Sequence, residues 1–180
     1  MQALKLFKMI RFISGLFLFV FISCSRGSEK KISSLIDDFS ESKNNFEEFN
    51  YSDVIKALEG YKENLKLVKK CVDSVESEFV IEINNYKGMK KSALKFIKNY
   101  NEIQQNIIFE KNQLENLKYD IENELLIMDS IDKFLLIEQK NINKISEDIK
   151  VASESYEFIK STNKRLYPYI KEFAEKYCKK

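Results

Sequence analysis

Three cysteines, three evenly spaced glutamates and a cluster of tyrosines are the residues of this 180-residue chain whose types and spacing could do chemistry. Cys71 and Cys178 can pair as a disulfide wherever the chain lies outside a reducing cytosol. The bond would close a loop of about 100 residues and stabilise by about 4–5 kcal/mol in the chain-entropy picture. Two unpaired thiols are the other reading, and the spacing leaves both open. The two cysteines lack C-x-x-C spacing, and with no histidine anywhere in the chain they make a poor metal site. Glu110, Glu124 and Glu138 recur every 14 residues. Fourteen residues of one helix cover about 21 Å, too far for a shared catalytic site. They read instead as places where an apolar stripe drifts and Phe109, Leu125 and Ile137 take over. Tyr156, Tyr167, Tyr169 and Tyr177, with Phe158 and Phe173, are the densest aromatic cluster beyond the N-terminal segment. They suit a binding surface, tyrosine being large, rigid and amphipathic, or else they dock the last helix onto its neighbours. No nucleophile–base pair and no metal spacing stands out, so no catalytic residue, metal or cofactor is assigned and the chain is read as non-enzymatic.

The third cysteine belongs to an address. Residues 1–11 carry Lys5, Lys8 and Arg11 and no acid, and residues 12–23 are uncharged and almost wholly apolar. That is the n-region and h-region of a secretory signal. Twelve helical residues reach about 18 Å, short of the roughly 30 Å of a bilayer core. Apolar residues on every side, instead of one stripe, also disfavour a buried N-terminal helix of a cytosolic domain. Cys24 follows directly, behind the small residue Ser23. This arrangement resembles a bacterial lipoprotein signal, and the looser form with Phe21 and Ile22 before Ser23 is similar to spirochaetal, Borrelia-type lipoproteins. The chain's richness in Lys, Asn, Ile, Glu and Phe fits that likeness. The resemblance implies cleavage before Cys24 and acylation of its sulfur and amino group. Two or three acyl chains hold a protein to a membrane stably, where one holds only marginally. The expected organisation is a signal over 1–23, a lipidated cysteine and tether over 24–31, and one helical domain over 32–180.

Charge changes meaning after such processing. The precursor has 30 basic and 28 acidic residues; without Lys5, Lys8 and Arg11 the basic count is 27 and the net charge −1. No positive field remains to support nucleic-acid binding. Lysine pairs interspersed with acids read as solvated helix faces.

The elements expected beyond the tether are all α. With four glycines and one proline, the chain lacks the frequent turn signals of an all-β fold. An apolar stripe through Ile32, Leu35, Ile36, Phe39, Phe46 and Phe49 predicts a helix over 29–49, and Asn50 to Asp53 supply a turn and N-cap. Val54, Leu58, Tyr61, Leu65, Val68, Val72, Val75 and Phe79 form a heptad seam that predicts one helix over 53–84, ending in a turn at 84–88. The heptad resumes from Ala93 to Ile159 and is expected to fold back at Asp129–Asp132, giving helices over 89–128 and 130–161. A short last helix over 167–178 would begin near Pro168. The expected fold is an antiparallel bundle of long, coiled-coil-like helices with shorter N- and C-terminal helices.

These expectations lead to a lipid-anchored protein of the bacterial envelope, held to membrane lipid by Cys24. It would act by binding or adhesion to a host or envelope protein. For many spirochaetal lipoproteins the resemblance implies display at the outer membrane surface. A periplasmic, lipid-anchored coiled-coil scaffold or chaperone is the alternative. Stripes longer than one bundle needs would also allow a homo-oligomer.

Overall fold

The computed structural model describes residues 27–74 and 76–178. Residues 1–23 and Cys24 lie outside the described residues. The fold is an all-α helical bundle. Helix α1 covers 27–47, α2 Tyr51–Cys71, α3 Ser77–Glu122 and α4 Met128–Cys178. Residues 27–31, expected to be tether, are already helical, and Ser28 is buried. No helix among the described residues is long and apolar enough to cross a membrane.

The chain forms two compact units. The first combines α1 through Ser42, α3 from Ile107 and α4 through Lys144. Its interior is set by three heptad stripes. Ser28, Ile32, Leu35, Phe39 and Ser42 come from α1, Ile107, Glu110, Leu114, Leu117 and Ile121 from α3, and Ile131, Leu135, Glu138 and Ile142 from α4. Each series steps by alternating threes and fours, which keeps one side of a helix facing its neighbours. Burying each large apolar side chain stabilises by roughly 1.5–3 kcal/mol.

The fold-back between α3 and α4 falls at 123–127, a few residues before the expected Asp129. Glu124 stops α3 by adopting the left-handed conformation at φ 54°. Its N–H donates to the Ile121 carbonyl at 3.2 Å, and the Leu125 N–H to the Asp120 carbonyl at 2.9 Å. This is a Schellman stop, which satisfies the last carbonyls of α3 without glycine.

The second unit takes 43–106 and 145–180. The Asn50 side chain caps α2 by accepting from the Ser52 N–H at 3.2 Å. Helix α2 ends at Cys71, with Val72 extended and its N–H bonded to the Val68 carbonyl at 3.0 Å. The expected helix over 53–84 is therefore broken at 72–76. Apolar heptad positions continue in phase across the break, so periodicity alone runs through it. The expected turn at 84–88 is instead interior to α3. Tyr86 and Met89 there are fully buried. Their burial is worth roughly 1.5–3 kcal/mol for each side chain, which outweighs the roughly 1 kcal/mol cost of Gly88 in a helix.

No separate helix begins at Pro168, which lies inside α4. An interior proline costs about 3 kcal/mol through its missing donor and its clash. Pro168 and Lys164, whose carbonyl loses that donor, are both exposed, so water can reach the site. Leu166, Ile170 and Ala174 on the opposite side are fully buried and hold the helix in place.

Candidate functional site

In the first unit the two glutamates expected to be displaced from the stripe occupy it. Glu110 is 2 % exposed and Glu138 is also buried, whereas Phe109 and Ile137 are 61 % and 49 % exposed. The substitution of neighbours for seam glutamates therefore does not occur. Folding back at Glu124 brings together two residues each 14 positions from it, which a single straight helix would have kept apart. Glu110 shares a hydrogen bond with Glu138, and Asn141 Nδ2 donates to Glu138 Oε2 at 3.0 Å. Burial, then the Glu138 carboxyl, push Glu110 up to about 8. Glu110 is thus protonated at neutral pH. Its Oε1 has no hydrogen-bond partner. Two carboxyls and an amide in an apolar interior make a polar lock for register, and among the described residues no group of three metal-ligating side chains forms. Glu124 stays apart in the exposed turn.

The second unit holds a groove between α2 and α4. A hollow of about 520 Å³ lies over Val54, Ala57 and Ile159, flanked by Asp53, Glu157 and Lys160. A second hollow of about 340 Å³ shares Lys56 and Asn163 with the first and reaches Gly60, Glu63 and Tyr167. The groove is apolar at its base and mixed in charge at its walls. Lys160 Nζ lies 3.1 Å from Glu157 Oε1 and 5.0 Å from the Tyr156 ring centroid. The Glu157 hydrogen bond raises the Lys160 pKa.

Under the groove runs a polar cluster that sequence reading missed. Asn64, buried on α2 where Leu65 was expected in the seam, donates through Nδ2 to the Tyr167 carbonyl at 2.8 Å. Its side chain also bonds Tyr86, whose hydroxyl reaches Asn163 Oδ1 at 3.5 Å. Burial pushes Tyr86 up to about 12, so the phenol stays neutral. Gly60 lets the helices approach: a Cβ there would sit 2.8 Å from two ring atoms of Tyr167. A glycine in mid-helix, three residues after a small Ala57, was the available sequence signal.

The expected tyrosine surface does not come together as one face. Tyr156 is buried against Phe49 and Phe96, with centroids at 5.5 and 5.7 Å, and its hydroxyl accepts from the Asn50 N–H at 3.3 Å. Tyr167 leans over Gly60, Tyr169 is exposed near Phe79, and Tyr177 packs on Phe173. Phe173 in turn stacks on Phe79 at 3.7 Å. Most of the cluster thus docks α4 onto its neighbours, and Tyr167 borders the groove.

Cys71 and Cys178 are joined as a disulfide, with Cα atoms 4.8 Å apart. It ties the end of α2 to the end of α4 across a sequence separation of 107. Arg165 Nη1 lies 2.6 Å from Glu82 Oε1, and hydrogen bonds from Arg165 and then Asn85 hold Glu82 below the usual carboxylate range.

No protein-family model, no curated protein and no solved structure matches this chain.

Proposed function

We propose that this chain is a lipid-anchored bacterial envelope protein of the spirochaetal kind, acting by binding and not by catalysis. The observation that carries the reading is the placement of Cys24. It ends an uncharged apolar run behind a basic N-terminus and stands three residues before the first described helical residue. Acyl chains on that cysteine would hold the bundle against a membrane without a spanning helix. The disulfide suits a compartment outside the reducing cytosol. The groove between α2 and α4, apolar below and mixed in charge at its rim, is the surface best suited to a protein partner.

Replacing Cys24 with Ala should move the protein from the membrane to the soluble fraction, and intact mass should show acyl groups on the wild-type N-terminus. Unchanged fractionation would overturn the anchor. Protease treatment of intact cells tests display at the outer surface. Resistance until the outer membrane is opened would favour the periplasmic scaffold instead.

A further inference from the structure

In the first unit, α1 and α4 start at the same end. Lys31 Nζ pairs with Asp132 Oδ1 at 2.9 Å. Lys31 is four residues beyond Gly27, and Asp132 four beyond Met128. Their first turns are therefore level, and the turn between α3 and α4 lies beside the start of α1. That turn has an unusual composition. Leu125, Leu126, Ile127 and Met128 follow one another, and Leu125 and Ile127 are 62 % and 73 % exposed. Turns are ordinarily built from polar residues, glycine and proline. Neither the core of this unit nor the groove of the second one uses these side chains.

Cys24 is three residues from Gly27, at most about 11 Å of extended chain at 3.8 Å per residue. We infer that the Leu125–Met128 turn is a second membrane contact, pressed into the bilayer that holds the acyl chains. This rests on the anchor proposed at Cys24. A short tether keeps the turn close to the lipid surface, so a small apolar contact becomes effectively intramolecular. The acyl chains supply the stable attachment, and the turn adds a weak second contact that fixes how the first unit meets the surface. Charge at this end is largely balanced: Glu122 pairs with Lys118 at 3.7 Å, Asp132 pairs with Lys31 at 2.9 Å, and Lys30 stands in the first turn of α1. The contact therefore rests on the apolar side chains of Leu125, Ile127 and Met128, and a neutral bilayer suffices for it.

The chain has no tryptophan, so a single one reports position. The experiment compares Ile127→Trp with Ile108→Trp, an exposed site about 21 Å back along α3 at 1.5 Å per residue. Each full chain is recovered from membranes and reconstituted into phosphatidylcholine vesicles bearing bromine near the headgroups. In a second arm, residues 25–180 with an N-terminal hexahistidine bind nickel-chelating lipid in the same vesicles, which fixes the N-terminus at the surface without acylation. The expected result in both arms is a blue shift and at least twofold stronger quenching at position 127 than at 108. Equal or absent quenching at the two positions in the chelating arm overturns the inference even if Cys24 is acylated. A blue shift without lipid that grows with protein concentration also overturns it, in favour of pairing between copies. Unacylated Cys24 with quenching retained in the chelating arm would remove the anchor and leave the turn's affinity for lipid established.

Discussion

Glu110 on α3 is hydrogen-bonded to Glu138 on α4 in the apolar interior of the first unit, at equal sequence distance from the Glu124 stop. Their meeting makes the stability of the bundle depend on pH in an uncommon direction. Glu110 titrates at about 8 in the folded chain, against an ordinary 4.5. An acid whose folded pKa is raised contributes fully below the unfolded pKa, and the contribution is lost as pH rises through the folded one. The contrast between wild type and Glu110→Gln isolates this effect. Wild type should lose at least about 2 kcal/mol relative to the variant between pH 5 and pH 9, at about 1.4 kcal/mol per unit of pKa. Urea midpoints at several pH values measure it, and parallel curves would show that Glu110 does not titrate in that window.

The conformation of Glu124 carries a cost that glycine would avoid. An L-residue in the left-handed region is disfavoured by roughly 1–2 kcal/mol, and glycine is not. Glu124 is exposed, so its side chain makes no buried contact that the change would lose. Glu124→Gly should raise stability by about 1 kcal/mol, which is about 2–4 °C in Tm for a chain of this size. A lower Tm in a calorimetric scan would contradict the observed stop.

Gly60→Ala should act against helix propensity. Alanine favours a helix interior by about 1 kcal/mol over glycine. At position 60 its Cβ meets the Tyr167 ring at 2.8 Å, and overpacking of this kind costs about 1–3 kcal/mol. The variant should be destabilised, and Tyr167→Ala in the same chain should recover the propensity gain. Additive effects in the double-mutant cycle would mean that the two residues do not touch.

The Cys71–Cys178 disulfide closes a loop long enough to add about 4–5 kcal/mol by restricting the unfolded chain. Reduction should lower the Tm by about 10 °C or more at about 2–4 °C per kcal/mol. Cys71→Ser should match reduced wild type and become insensitive to reductant. A melt unchanged by reductant would show that the thiols do not pair in solution.

Much of the fold is legible along the chain because heptad spacing records which side of each helix is buried. Ile32 to Phe39, Leu114 to Ile121 and Ile142 to Ile159 are buried in the phase that their spacing predicts. Asn50 announces the start of α2 because a short polar side chain can cap free N–H groups locally. These are properties of residues within a few positions of one another. The break at 72–76, the helical passage through Gly88 and Pro168, and the ends of the long helices follow no such local rule. Their cost or gain depends on whether Tyr86, Met89, Leu166 and Ile170 find a partner helix, and that partner comes from distant sequence.

The sequence by itself determined the all-α class, most of the apolar stripe of each long helix and the capped corner at Asn50. Only the tertiary structure decided that Glu110 meets Glu138, that Asn64 reaches the Tyr167 carbonyl, that Cys71 joins Cys178, and that the Leu125–Met128 turn sits beside the start of α1. The physical reason is that periodicity fixes the phase of one helix, whereas contact between helices needs their relative register. Register emerges within the first unit from the stop at Glu124 and within the second from the close packing at Gly60.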